Sequence, residues 1–202
     1  MKKKFYLFAG VNRAGKSTLY NTESLDINIK DTVRINTDEI VRKIGNWKND
    51  SDQIKAVKIA INLRNNCFQC GKSFNEETTL TGKTILKIID KVKEQGYELQ
   101  LFYVGLSSPN IAKERVKSRV EKGGHNIEND VIEKRYYESL KNLKKIISKF
   151  DKVYFYDNSI KYKNIFSFSD NTILFKDKNI IWSKEAIEIM ENSIFIWWTF
   201  KI

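Results

Sequence analysis

The chain has 202 residues, 41% hydrophobic and 30% charged, which suits one domain large enough to bury its own core. Its net charge of +11, from 36 Lys and Arg against 25 Asp and Glu, favours anionic ligands such as nucleotides, phosphorylated metabolites or nucleic acid, although most of the lysine is expected to solvate helix faces. No stretch reaches the length of a membrane helix, and the basic start Met1-Lys2-Lys3-Lys4 runs into a strand and not a secretory signal, so a cytoplasmic location without membrane contact is expected.

Lys4-Phe5-Tyr6-Leu7-Phe8-Ala9 is an apolar run of the kind that forms a buried parallel strand. Gly10-Val11-Asn12-Arg13-Ala14-Gly15-Lys16-Ser17-Thr18 follows and fits G-x-x-x-x-G-K-[ST], the phosphate-binding P-loop. Gly10 and Gly15 let the backbone curl so that several N–H groups point at one phosphate chain. Lys16 brings a positive charge to the β- and γ-phosphates, and the Ser17 hydroxyl can ligate Mg²⁺. A helix starting near Lys16 aims its positive end at the same anion. The candidate ATP cradle is therefore Gly10, Asn12, Arg13, Ala14, Gly15, Lys16, Ser17 and Thr18.

A polar loop over 21–31 leads to a second strand, Thr32-Val33-Arg34-Ile35-Asn36, then Thr37-Asp38-Glu39 and a short helix through Ile40, Val41 and Ile44. Ligands of open α/β sheets sit beyond the carboxyl ends of the strands, which puts Asp38 on the P-loop's edge. A carboxylate there can take a proton from a substrate hydroxyl, while Asp38 or Thr37 capping the next helix is the plainer alternative. Ser51 or Asp52 is expected to cap a helix carrying Ile54, Val57, Ile61 and Leu63 and ending near Gly71. The two cysteines, Cys67 and Cys70, lie about one turn apart near its end and are read as reduced, since zinc would need further ligands and the only histidine, His125, is far along the chain.

Lys72 to Thr79 reads as a short strand with a polar end. Glu76, Glu77, Thr78 and Thr79 there favour a bound polar group over a capping box for the helix that begins near Gly82. That helix runs through Ile85, Leu86, Ile88, Ile89 and Val92 to Gln95-Gly96. The next strand spans Glu98 to Leu106, and no Asp follows its apolar run. A Walker B aspartate of the motor-ATPase kind is thus not visible, which argues for a small kinase.

Ser108-Pro109 starts a helix with Arg115 and Arg119 on one face and Val116 and Val120 on another. Gly123 and Gly124 separate it from a second helix, about 127 to 150, with an apolar stripe of Val131, Ile132, Tyr136, Leu140, Leu143 and Ile147 and with Arg135 one position away. A hinged helix pair bearing arginines fits a kinase lid, over about 108–150; a plain helical hairpin with solvated arginines is the alternative. Lys152 to Tyr156 is the last sheet strand, with Asp157-Asn158-Ser159 at its carboxyl end. Ile173-Leu174-Phe175 and Ile180-Ile181-Trp182 are expected to pair as a hairpin around Lys176–Asn179. Ser183 then caps a helix with Ala186, Ile187 and Met190. The apolar tail Ile194 to Phe200 could pack on the domain, contact a partner or do neither.

Four blocks in this order carry a family resemblance: Gly10 to Thr18; Ile35-Asn36-Thr37-Asp38-Glu39; Ser73-Phe74-Asn75-Glu76-Glu77-Thr78-Thr79-Leu80; and Arg119-Val120-Glu121-Lys122-Gly123-Gly124-His125 running on to Arg135-Tyr136. Over residues 3 to 160 the chain resembles the zeta-toxin family of P-loop kinases, in particular its short bacterial branch. The resemblance implies an α/β P-loop kinase fold: a five-stranded parallel sheet with flanking helices and an arginine-bearing lid in a domain over 1–160. The C-terminal hairpin and helix, 161–202, would pack on that same domain. It implies an ATP- and Mg²⁺-dependent kinase acting on a hydroxyl, with UDP-N-acetylglucosamine the acceptor of the family's characterised members, and a small helical antitoxin as partner.

Carried over by position, Lys16 and Ser17 match the ATP-phosphate and Mg²⁺ residues and Asp38 the catalytic base. Glu77, with Thr78 and Thr79, matches the substrate block, and Arg119 and Arg135 match the lid arginines, with Arg115 as a further candidate. Asn158 lies in the segment that meets adenine in related kinases. His125 belongs to the lid motif without a defined role. Lys134 stands where many relatives carry a second arginine. A kinase for another alcohol (a sugar, an antibiotic or a polynucleotide 5′-end) and a non-catalytic ATP-binding regulator are the alternatives.

Overall fold

A strand with no polar face has to be covered on both sides, and β1 (Lys4–Ala9) lies near the middle of a seven-stranded sheet. The computed structural model describes residues 2–22, 27–121, 126–177 and 179–199; the side chains of 27–28 and 194–199 lie outside that description. In chain order the other elements are α1 (Lys16–Asn21), α2 (Ile27–Lys30), β2 (Val33–Ile35), α3 (Thr37–Ile44), α4 (Asp50–Cys70), β3 (Phe74–Thr78), α5 (Lys83–Glu94), β4 (Glu98–Gly105), α6 (Pro109–Glu121), α7 (Asn129–Ile146), β5 (Lys152–Asp157), β6 (Lys163–Ser169), β7 (Thr172–Lys176) and α8 (Lys184–Thr199).

The strand order is β2-β3-β1-β4-β5-β6-β7. The first five strands of that order are parallel, and β6 and β7 continue the same sheet antiparallel. The P-loop kinase fold is present, and the expected five-stranded sheet is enlarged to a mixed sheet of seven. The hairpin itself differs from the sequence reading. Its strands are β6 and β7, joined at Asp170 and Asn171, which both adopt positive φ. Ile181–Ser183 forms a 3₁₀ turn and is not a strand. The Asp170-Asn171 pair supplies the left-handed conformation that a tight hairpin needs, a stronger turn signal than the lysine-rich segment after it.

Alternation along the central strands divides the core into two layers. Phe5, Leu7 and Ala9 join Phe74, Leu99, Leu101 and Tyr103 on one face, beneath residues of α5 and α8 and the end of α7. Tyr6 and Phe8 join Phe102 and Val104 on the other, beneath α1 and α6. Trp182 folds back over the first face, with its ring centroid 5.5 Å from Tyr103 and 5.9 Å from Phe155. Its Nε1 donates to Asp157 Oδ1 at 2.8 Å. Gly105 makes room for this indole, because a Cβ there would lie 2.2 Å from the ring. The C-terminal segment is therefore fastened to β4 and β5.

Helix ends also refine the sequence reading. Asn36, not Thr37 or Asp38, caps α3, its Oδ1 accepting from the N–H groups of Asp38 and Glu39. Asn49 caps α4 in the same way, where Ser51 or Asp52 was expected. Cys67 and Cys70 are both free, the first buried and the second exposed. Residues 194–199 continue α8, whereas Phe200, Lys201 and Ile202 lie outside the described residues.

Candidate active site

β1 ends where the backbone must turn sharply under β4. Gly10 has φ 141°, and a Cβ on it would sit 2.2 Å from the Val104 carbonyl oxygen, so only glycine fits. Gly15 (φ 110°) meets a similar limit from the Asn158 side chain, whose Nδ2 donates to Ala14 O at 2.8 Å. The loop thus closes against the segment after β5. Lys16 is 7% exposed, and its Nζ donates to the carbonyls of Gly10 (2.9 Å) and Val11 (3.1 Å). Burial lowers its pKa, and the nearby carboxylates Glu77 and Asp38 push the other way. Arg13, at φ 62°, lines the cleft, and its Nη2 is buried without a hydrogen-bond partner; a ligand anion is the chemistry that satisfies such a donor.

The strand beside β1 supplies the carboxylate. β3 alternates, so Phe74 and Glu76 turn to one side and Asn75 and Glu77 to the other. Glu76 pairs with Arg64 of α4 at 2.7 Å and takes no part in the cleft. Glu77 accepts from Ser17 Oγ at 2.9 and 3.0 Å. α5 has no side-chain cap at Gly82, so no capping box forms there; of the polar end of β3, Glu77, Thr78 and Thr79 line the cleft and Glu76 does not. The acidic group that meets the P-loop serine comes from β3, on the flank of β1 opposite β4.

Sequence reasoning missed the partners of Glu77. Arg34 Nη2 donates to its Oε2 at 2.8 Å and Asn36 Nδ2 at 2.9 Å. Both come from β2 or its end, and both also hold Glu39. The available signal was a basic residue in the middle of a short strand, two positions before an asparagine, facing Asn75 and Glu77 across the sheet.

A cleft of about 890 Å³ opens above these groups. It is lined by Asn12, Arg13, Gly15, Lys16, Ser17 and Thr18 of the loop; by Asp38 on the first turn of α3; by Glu77, Thr78 and Thr79; by Arg115 and Arg119 of α6; by Arg135 of α7; and by Asn158. Gly10 and Ala14 do not line the cleft; their carbonyls accept from Lys16 and Asn158 respectively. Thr78 Oγ1 accepts from the N–H of Leu80, and Thr79 Oγ1 bonds Thr81 Oγ1, so both hydroxyls also tie down the bend after β3. Arg135 donates to Asn12 Oδ1 at 3.1 Å. Arg115 donates to Asn158 O at 2.7 Å and Arg13 O at 3.4 Å, bracing the loop against the β5 end. Lys134, next to Arg135, is exposed and lies off the cleft. Gly123, Gly124 and His125 lie outside the described residues. Arg42, Trp47 and Gln53 are among the further residues that line the cleft.

The donor set suits a hard cation. Among the described residues no three His, Cys, Asp or Glu side chains gather as a metal cage. A hydroxyl and a carboxylate beside a phosphate loop fit Mg²⁺, which keeps several waters and takes few protein ligands. No helix among the described residues is long and apolar enough to cross a membrane.

A phosphate loop on the central strand, with arginine-bearing helices facing it across a parallel sheet edge, is the architecture of P-loop kinases, and the chain is a phosphotransferase of that class. The zeta toxin family profile matches residues 1–176, and the chain belongs to the zeta toxin family. It is 32% identical over 138 residues to an uncharacterised protein of Haemophilus influenzae strain Rd, covering 67% of this chain and 94% of that one. A chain from the PezAT chromosomal toxin–antitoxin system of Streptococcus pneumoniae superposes with a TM-score of 0.62 at 20% identity, over 96% of this chain and 87% of that chain. A chain of the AvrRxo1-ORF1:-ORF2 complex with ATP gives 0.68 at 12% identity, over 94% and 64%. Both likenesses are likenesses of fold.

Proposed function

We propose that this protein transfers the γ-phosphoryl group of ATP, with Mg²⁺, to a hydroxyl of a nucleotide sugar, UDP-N-acetylglucosamine being the first acceptor to test, and that a small helical antitoxin holds it in check. The observation that carries the reading is the convergence of Lys16, the Ser17–Glu77 pair, Asp38 and the arginines 119 and 135 on one cleft. The partner is suggested by the family and by the toxin–antitoxin system from which the S. pneumoniae neighbour comes.

In this mechanism the phosphate chain lies along the 10–18 loop, and its oxygens replace the Gly10 and Val11 carbonyls as partners of Lys16. Ser17 Oγ and Glu77 would hold Mg²⁺, which when bound offsets charge on the β- and γ-phosphates. Asp38 takes the proton of the acceptor hydroxyl as that oxygen bonds to the γ-phosphorus. The bond from phosphorus to the bridging oxygen breaks, and its electron pair stays on ADP. Lys16, Arg119 and Arg135 stabilise the charge spread over the transferring group. Asn158 borders the adenine end and Thr78 and Thr79 the acceptor end. A nucleotide sugar is favoured over a plain sugar by two of the cleft's lining residues, since the cation of Arg42 and the indole of Trp47 suit an acceptor with its own phosphates and a planar ring.

The test follows ATP consumption with Mg²⁺ while the sugar nucleotide is weighed by mass spectrometry. A gain of one phosphate is expected, and Asp38→Ala or Lys16→Ala should lower the rate by about 10³-fold or more with the fold intact. Near wild-type turnover by Asp38→Ala would remove the base assignment. ATP consumption with an unchanged sugar nucleotide would move the acceptor to other alcohols, beginning with oligonucleotide 5′-ends. Tight ATP binding with no turnover on any acceptor would favour a regulator.

A further inference from the structure

Arg34 occupies an expensive place. It is the central residue of a three-residue strand, its side chain is 13% exposed, and a cation there must offset its desolvation with partners. Nε and Nη2 both reach Glu39, at 3.0 and 2.7 Å to Oε1. Nη2 also donates to Glu77 Oε2, and Nη1 to Asn75 Oδ1 at 3.0 Å. The guanidinium lies over the Tyr20 ring, 3.6 Å from its centroid, and Tyr20 belongs to the helix that starts with Lys16 and Ser17. One side chain therefore touches β3, the first turn of α3 and the P-loop helix.

We infer that Arg34 is a positioning residue for the nucleotide site: it anchors Glu77 through Oε2, which holds the carboxylate beside the Ser17 hydroxyl, and it links that carboxylate to the helix carrying Asp38. The inference rests on the kinase reading above and deepens it. The asymmetry of Glu77 is the central observation. Oε2 is held by Arg34 and Asn36 as well as lying 3.0 Å from Ser17 Oγ, whereas Oε1, 2.9 Å from the same hydroxyl, has no second partner among the described residues. Without the guanidinium, Glu77 and Glu39 lose the cation they share, and Glu77 remains close enough to Lys16 to act on its charge. A Glu77–Lys16 pair would withdraw both groups from the phosphates. Glu39 follows Asp38 directly, so the same fork fixes the turn from which Asp38 projects. The fork needs a guanidinium: lysine brings the charge but cannot serve two carboxylates and an amide in one plane.

The experiment measures binding, so it does not depend on the acceptor. A fluorescent ATP analogue is titrated into wild type, Arg34→Leu and Arg34→Lys over a range of Mg²⁺ concentrations and without Mg²⁺, with thermal unfolding alongside. The wild-type chain is expected to bind the analogue more tightly as Mg²⁺ is added. In Arg34→Leu the Mg²⁺ concentration for half the effect should rise by about 10-fold or more, while Mg²⁺-free affinity stays within about 2-fold. Arg34→Lys should show a smaller rise in the same direction, and it keeps the test open if the leucine variant does not fold. An unchanged Mg²⁺ requirement in a folded variant overturns the inference. So does a parallel loss of Mg²⁺-free and Mg²⁺-bound affinity in the lysine variant, which is what a merely structural role predicts. A wild-type chain that does not bind the analogue at all fails earlier, at the kinase reading.

Discussion

The two faces of the sheet are built to different rules. On the face under α5 and α8, those two helices give apolar side chains to the core and none to the cleft: Ile85, Ile89 and Val92 from α5, and Ala186, Ile187 and Met190 from α8, among the described residues. On the other face each helix is divided between packing and the cleft. α1 buries Leu19 while Lys16 and Ser17 meet the loop and Glu77. α6 buries Ala112 and Val116 and lends Arg115 and Arg119 to the cleft, and α7 buries Ile132 and Tyr136 beside Arg135. Stability is concentrated on one side and chemistry on the other. A substitution should therefore damage one and spare the other, according to its face.

Phe155 offers the strongest way to break that comparison. It is fully buried, with ring centroids of Phe166, Trp182 and Tyr103 at 5.3, 5.9 and 6.0 Å. Phe155→Ala should cost about 3–5 kcal/mol in denaturant unfolding. The fraction that remains folded should bind nucleotide as wild type does. A loss of nucleotide affinity in that fraction, well beyond the loss of folding, would show that the two faces are not separable.

Lys16 gives the converse. Lys16→Met should abolish turnover while the melting temperature stays the same or rises. The sign follows from its pKa, which burial holds below the ordinary lysine value. A folded state that disfavours the charged form is less stable at neutral pH than it would be with a neutral chain of the same length. A clear fall in melting temperature would mean that the bonds from Nζ to Gly10 and Val11 contribute more than the desolvation costs.

The same division explains what could be read from the sequence. The P-loop, the central strands and the position of Asp38 on the edge were legible, because a glycine motif and unbroken apolar runs are local signals. Arg119 and Arg135 came through the family motif, and both line the cleft; Lys134, which departs from it, is exposed beside them. The Glu77 network was not legible. Its members, Ser17, Arg34, Asn36, Glu39 and Asn75, meet only because β3 inserts between β2 and β1, and strand order is not a property of any single segment. The hairpin was misread for a related reason. Strand β6 pairs with β5 and β7 in the sheet order, and Trp182 is apolar because it covers β4 and β5, not because it belongs to a strand.

Alkali tests both faces together, with a smaller effect. Tyr103 on the first face and Tyr136 on the second are each buried, and burial raises the pKa of both, that of Tyr136 to about 12. Below about pH 10 both phenols are neutral in folded and unfolded chains, so they contribute no pH dependence. Above it the unfolded chain ionises first while the folded chain keeps its protons. Stability is then lost as pH rises from about 10 towards 12, at no more than about 1.4 kcal/mol per unit for one tyrosine. Tyr136→Phe should flatten that slope. It also removes the bond from the hydroxyl to Leu106 O (2.8 Å), about 1 kcal/mol at neutral pH, so the variant should start less stable and fall less steeply. Unfolding curves at a series of pH values separate the two effects. An unchanged slope would mean that Tyr136 is reached by water in the folded state, and that the face bearing the cleft opens more readily than its packing implies.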